Sequence, residues 1–162
     1  MCIRDRYRYR IADRPSARDP LERRRTLHHP HLLDDDRIRA AAPGMLGLHD
    51  FGAYCRPRPG ATTIRELQSL EWRRDEAGVL LADVRADAFC HSMVRALVGA
   101  SIAVGSGRIA PDRMAALLES PVRSNEFAVA PAHGLTLMEV GYPPDDALAG
   151  QAQKARARRE LD

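Results

Sequence analysis

The sequence predicts an α+β fold, a largely antiparallel sheet with helices packed on one face. Three observations predict it. Tyr7-Arg8-Tyr9-Arg10-Ile11 alternates large apolar and charged side chains, the pattern of a half-buried strand. Two β-patterned segments, Thr62 to Trp72 and Val79 to Ala88, flank a polar turn from Arg73 to Gly78 and so make a hairpin with one buried face. From Phe89 the period turns helical, and the run is apolar nearly all round, as a buried helix requires.

The other elements follow in chain order. Residues 12 to 33 contain Pro15, Pro20 and Pro30 and read as an irregular connection with one short edge strand. Asp34-Asp35-Asp36 ahead of Ile38, Ala41 and Ala42 starts a helix, because carboxylates accept from the free amides of a first turn and favour the positive end of its dipole. Pro43-Gly44 ends that helix near Met45. Leu48-His49-Asp50-Phe51 comes next as a turn, and Pro57 and Pro59 mark a loop from Arg56 to Gly60. In the second hairpin strand Leu80, Ala82, Val84 and Ala86 share one face, and Asp83, Arg85 and Asp87 the other. In the long helix Phe89, Met93, Leu97 and Ala100 form one stripe, with Val94, Val98 and Ile102 beside it, before Gly105-Ser106-Gly107 closes it. Pro111-Asp112 opens a shorter helix through Met114, Leu117 and Leu118. Gly134 to Tyr142 reads as the last strand, and residues 145 to 162 as a solvated Ala- and Arg-rich helix.

Composition narrows the functional classes. The 162 residues suit one domain or one lobe of something larger, and 44% hydrophobic with 29% charged residues is ordinary globular usage. All but one of the 25 basic residues are arginine, Lys154 being the exception. Arginine forks suit RNA phosphates, yet a GC-rich genome raises Arg, Ala, Gly and Pro together, so charge by itself assigns no partner. Cys2, Cys55 and Cys90 form no CxxC pair, and an odd count speaks against a disulfide framework and for a reducing cytosol. The absence of an apolar run of membrane-spanning length argues against a membrane role. His28-His29-Pro30-His31 invites a metal, but adjacent histidines diverge and no Cys or carboxylate stands at ligand spacing, so no metal site is expected. Ser92 lies in a predicted helix and not on a glycine-flanked elbow, which excludes a Ser-His-Asp hydrolase.

Arg95 is the residue that needs a reason. It falls within the apolar helix, one turn after His91 and one turn before Gly99, so the three are expected to face one region. A buried unpaired arginine costs about 3–5 kcal/mol, so a carboxylate or phosphate should approach it, and Gly99 would let another backbone come close. The alternative is an arginine that reaches the surface or bridges to Asp83 or Asp87.

The string Ala86-Asp87-Ala88-Phe89-Cys90-His91-Ser92-Met93-Val94-Arg95 with Val98-Gly99 resembles the helix motif of the tRNA pseudouridine synthase A family. Three further blocks agree in order: Tyr7-Arg8-Tyr9; His49-Asp50-Phe51 with Thr62-Thr63-Ile64-Arg65; and Ala130-Pro131-Ala132-His133-Gly134-Leu135 leading to Val140-Gly141-Tyr142-Pro143. The resemblance covers roughly residues 6 to 143 and implies the C-terminal half of a pseudouridine synthase fold. Residues 7–143 would then be part of the catalytic domain, residues 1–6 a start foreign to it, and residues 144–162 a charged tail.

The resemblance also implies a chemistry. The family converts uridine to pseudouridine in the anticodon arm of tRNA, with no cofactor and no metal, and acts in the cytoplasm as a homodimer that lays tRNA across both subunits. An aspartate is the nucleophile, an arginine holds it ionised, and an aromatic ring stacks on the extruded base. Tyr7 matches the family's tyrosine and Arg95 its arginine, while Phe89, His91 and Met93 would line or support the pocket. Ala96 stands where many members have asparagine, and Ser92 where some have a second histidine. The nucleophile's Arg-Thr-Asp-Ala-Gly-Val-His segment occurs nowhere in the sequence, and neither Asp5 nor Asp13 has its context. The expectation is therefore a chain that begins downstream of the nucleophile and is inactive alone. The competing reading is a non-catalytic RNA-binding or dimerisation fragment that uses Arg23-Arg24-Arg25, Arg56 and Arg58 against phosphates.

Overall fold

The computed structural model describes residues 4–142, 144–147 and 150. Strand β1 spans Arg4–Ala12 and β2 Leu27–His28; helix α1 spans Asp35–Ala41; β3 is Gly47–Asp50, β4 Ile64–Arg74 and β5 Leu80–Ala86. Helix α2 runs Met93–Gly105, α3 Pro111–Ala116, and β6 Leu135–Gly141, with short 3-10 turns between several of these.

The strands form one six-stranded sheet in the order β2-β1-β5-β4-β3, with β6 also paired to β1. Only the β1–β2 pairing is parallel; the rest of the sheet is antiparallel. The α+β architecture expected from the sequence is thus the one observed. Strand β1 is central because β5 borders one edge while β6 and β2 share the other. Arg4 to Arg6 belong to this strand and pair with β5 and β6, so the boundary drawn at residue 6 falls inside an element.

The period-two pattern decides which side of β1 is buried. Tyr9 and Ile11 are fully buried beneath the helices, as are Leu80, Ala82, Val84 and Ala86 of β5. Arg6, Arg8 and Arg10 project from the other face and meet carboxylates: Arg8 makes two 2.9 Å bonds to Asp83, Arg6 lies 3.3 Å from Glu139, and Arg10 reaches Asp75 and Glu22. The arginines of the Tyr-Arg alternation are therefore neutralised within the sheet.

Helix α2 is buried along nearly its whole length, which is why its apolar residues surround the axis. It begins four residues later than the stripe from Phe89 suggests. Phe89–Ser92 form a non-helical approach, and Ser92 is the N-cap at φ 70°, the one positive-φ residue other than glycine among those described. Helix α1 starts as expected, with the Asp34 carboxylate accepting from the Arg37 amide. Gly47–Asp50 is a strand where the sequence suggested only a turn: it pairs with Ile64–Leu67 at the sheet's edge. The tail helix expected over residues 145–162 falls almost wholly outside the described residues, within which Asp145–Ala147 make a 3-10 turn.

A second departure concerns the cysteines. Cys55 and Cys90 meet as a disulfide with their Cα atoms 5.8 Å apart, although the sequence pointed away from a disulfide framework. That Cα spacing is the usual one for a bridge.

Candidate active site

The pocket lies where the end of β1 meets the approach to α2. Tyr7, Leu135 and every residue from Phe89 to Arg95 line it, and its volume is about 160 Å³. This is smaller than a drug-sized cavity. All five residues singled out from the sequence, Tyr7, Phe89, His91, Met93 and Arg95, border this one space.

Each side chain is placed by its element. Tyr7 is on the helix-facing side of β1, opposite Val84 on one edge and Leu137 on the other. The β1–β6 register shifts between Arg6 and Tyr7, and the β4–β5 register shifts between Leu67 and Ser69, opposite Ala86 and Arg85. Both irregularities sit at the pocket end of the sheet, where bulges re-aim side chains. The Tyr7 and Phe89 rings meet edge to face with centroids 5.2 Å apart, so they form one aromatic wall. Met93 is 1% exposed and supports that wall from the core.

Arg95 is in the first turn of α2 and half-buried. Its guanidinium donates to the Ser92 hydroxyl at 3.4 Å, and Ser92 Oγ lies 3.3 Å from His91 Nδ1. Among the described residues it forms no ion pair; Asp83, one partner the sequence allowed, is held instead by Arg8. His91 is outside α2, so it does not sit a helical turn below Arg95 as the spacing suggested. It reaches the same pocket through the left-handed backbone at Ser92. The close approach expected at Gly99 is real: a Cβ there would strike the Ala128 carbonyl oxygen. Just along that strip of backbone, the Ala130 amide donates to the Arg95 carbonyl at 3.0 Å.

Tyr9 backs the pocket. Its hydroxyl donates to the Pro131 carbonyl at 2.6 Å, and its ring lies against Gly134, where a Cβ would come within 2.5 Å of it. Burial drives its phenol well above the ordinary value, while the nearby Arg95 charge opposes the rise. Tyr9 thereby fixes the Ala130–Gly134 segment that leads into β6. The sequence marked Tyr9 only as a sheet residue.

The rim is basic. His91 is exposed, and its pKa is lowered first by partial loss of hydration and then by Arg58, Arg56, Arg95 and Arg123. Arg123 was not foreseen. The Arg23-Arg24-Arg25 run lies elsewhere: Glu22, which binds Arg25 and Arg10, belongs to the face of the sheet opposite Tyr7 and Tyr9. No group of three His, Cys, Asp or Glu residues is arranged to hold a metal among the described residues, and no helix there is long and apolar enough to cross a membrane.

Comparison with known proteins gives this geometry a context. A family model described as tRNA pseudouridine synthase matches residues 41–143. The chain is 56% identical over 156 residues to the tRNA pseudouridine synthase A of Leifsonia xyli subsp. xyli, covering 96% of this chain and 54% of that protein. It is 55% identical over 154 residues to the protein of the same name from Frankia casuarinae, covering 95% and 56%. To that of Mycobacterium leprae it is 48% identical over 157 residues, covering 97% and 54%. The chain spans about half the length of the curated relatives it matches.

Proposed function

Because the chain belongs to the tRNA pseudouridine synthase family, we propose that it contributes one side of the active site of an enzyme that isomerises uridine to pseudouridine in the anticodon stem-loop of tRNA. The observation that carries this reading is the convergence of Tyr7, Phe89, His91, Met93 and Arg95 on one pocket, with an Arg95 guanidinium that has no carboxylate partner among the described residues.

In the proposed mechanism the target uridine leaves its stack, and its uracil enters against the Tyr7–Phe89 wall, where an aromatic ring replaces the lost neighbouring bases. Arg95 holds the nucleophilic aspartate ionised and oriented, since an adjacent cation lowers a carboxylate's pKa. The bond between the sugar and uracil N1 breaks, the base turns, and the sugar carbon bonds to C5. C5 then gives up its hydrogen as a proton and N1 gains one, so the reaction balances without a cofactor. The aspartate role goes to no residue of this sequence, because none has the motif that marks it. The same reading makes tRNA the partner, the cytoplasm the place of action and a homodimer the assembly of the whole enzyme.

Tritium release from tRNA labelled at uridine C5 tests the proposal. The chain alone should give no release above a no-protein control. Fused to the half of the Leifsonia xyli relative that it does not span, it should release tritium, and Arg95→Ala in the fusion should abolish it. Release by the chain alone would refute the placement of the nucleophile outside it; an inactive, folded fusion would refute the synthase reading.

A further inference from the structure

We propose that Arg56, Arg58 and Arg123, gathered around His91, form a binding site for a phosphodiester of the RNA backbone on the rim of the pocket. The inference rests on the synthase reading and adds to it a subsite distinct from the base pocket.

Three segments far apart in sequence are drawn together here. The turn at Gly52–Tyr54 lies so close to Pro121 that a Cβ on Gly52 would strike the Pro121 carbonyl, and the Ser124 amide donates to the Ala53 carbonyl at 2.9 Å. These contacts bring Arg123 beside the loop that carries Arg56 and Arg58. That loop is in turn joined to the pocket segment twice: by Cys55–Cys90, and by the Arg56 amide donating to the His91 carbonyl at 2.9 Å. Arg95 closes the group from the first turn of α2.

Charge is concentrated in this assembly. Many arginines elsewhere face carboxylates, as Arg8 faces Asp83, Arg74 faces Asp13 and Asp35, and Arg113 faces Glu126. Among the described residues Arg18, Arg23, Arg24, Arg37 and Arg108 also form no ion pair, but around His91 such arginines come together from three segments. The segments that meet around His91 carry no carboxylate of their own. No acidic residue occurs from Phe51 to Arg65, from Ala88 to Pro111, or from Ser120 to Asn125. Among the described residues Arg56, Arg58 and Arg123 are exposed and make no ion pair. Mutually repelling cations held together by backbone contacts and a disulfide are stabilised by an anion that all can reach, and a guanidinium fork matches the oxygens of a phosphate. His91 reports the imbalance: after hydration loss, the causes that depress its pKa are these same arginines.

A free phosphate and an RNA phosphodiester present the same oxyanion. The backbone is favoured because residues Phe89 to Arg95 line both the rim and the base pocket, and a nucleotide whose base enters that pocket carries its phosphates at its mouth.

The test follows the His91 ring by NMR in the full 162-residue chain, with a synthetic anticodon stem-loop RNA and, separately, inorganic phosphate as probes. Bound RNA should raise the His91 pKa, because an anion offsets the arginines and favours the imidazolium. Replacing the three arginines together by glutamine should remove that shift, weaken RNA binding about tenfold or more at low salt, and flatten log affinity against log salt by about one unit. The charge-matched change of Arg23, Arg24 and Arg25 to glutamine should leave the His91 shift in place, and circular dichroism should show both variants folded. RNA binding that survives loss of Arg56, Arg58 and Arg123, or that leaves His91 unperturbed, would overturn the subsite alone. Inorganic phosphate that binds as tightly as the RNA would overturn the backbone assignment in favour of a free anion. A parent chain that binds no RNA would overturn the subsite, whereas the synthase reading beneath it stands or falls with the tritium-release assay of the fusion.

Discussion

Tyr9 and Gly134 are in mutual contact: the tyrosine ring occupies the space that any β-carbon at residue 134 would need. The same ring directs its hydroxyl to the Pro131 carbonyl, so one buried side chain holds both ends of the turn before β6. Tyr9→Phe should cost about 1–3 kcal/mol by leaving that carbonyl unsatisfied, read from urea unfolding. Gly134→Ala should cost a similar amount through overpacking. Burial also raises the Tyr9 and Tyr54 phenols, and a folded pKa above the unfolded one means that the native state retains protons the unfolded chain releases. The resulting stability is present below about pH 10 and lost above it. A phenolate absorbance titration should show these two tyrosines ionising only together with unfolding.

Arg74 organises the opposite end of the sheet. It makes paired hydrogen bonds to Asp13 and to Asp35, and the Asp13 carboxylate, fully buried, also accepts from the Leu33 amide. Burial by itself would raise the Asp13 pKa; the Arg74 and Leu33 hydrogen bonds outweigh it and hold the value low. A depressed carboxylate pKa gives stability that is present above the unfolded value of about 4 and lost as pH falls through the folded one. Arg74→Met takes the paired hydrogen bonds from that carboxylate, leaving it the Leu33 amide and Arg14 at 3.8 Å, and should cost about 3 kcal/mol at neutral pH. The deficit should narrow in urea melts carried out below about pH 4, where Asp13 of the variant is protonated.

Gly99→Ala sets two effects against each other. Alanine is favoured over glycine inside a helix by about 1 kcal/mol. The new methyl would strike the Ala128 carbonyl, however, and backbone held at the Arg95 carbonyl cannot retreat freely. Overpacking of this kind costs about 1–3 kcal/mol. The variant should therefore be less stable in thermal melts, with the Arg95 region displaced; a more stable variant would show that the Ala128 segment yields.

Closing a loop between residues separated by 35 positions, the Cys55–Cys90 bridge should stabilise the oxidised chain by about 3–4 kcal/mol relative to the reduced one. Denaturant melts with and without reductant measure the difference, and thiol counting assigns the states. Cys55→Ser should make the two melts coincide.

The parts of the fold legible in sequence are those in which one chemical pattern settles one element. Alternation at Tyr7–Ile11 fixed both the strand and its buried face, and the acidic triplet before Ile38 marked a helix start that the Asp34 cap explains. Strand β3 was missed because it has only four residues and an exposed Leu48, so it is made by pairing with β4 and not by its own pattern. The start of α2 was misplaced for a related reason. Phe89 continues the helical stripe in sequence, but the left-handed backbone at Ser92 is imposed from outside, by the Arg56 amide and Cys55 gripping residues 90 and 91. Tyr7 and Phe89–Arg95 were found by resemblance to a family, since periodicity alone left Arg95 with several partners. Arg123 bore no local signal at all, because only the contacts at Gly52 and Ala53 bring it to the rim.

The position of β1 between strands from later parts of the chain has a consequence for how the protein is made. Arg6 and Glu139 are 133 residues apart, and the Tyr7 wall requires both β5 and β6. At about 5–20 residues per second, a ribosome needs roughly 7–27 s to add the residues that separate them. Until β5 is made the strand bearing Tyr7 and Tyr9 can pair only with β2, at Ile11 and Ala12, and until β6 follows one side of it stays open, for longer than most folding steps take. A slower ribosome lengthens that exposure.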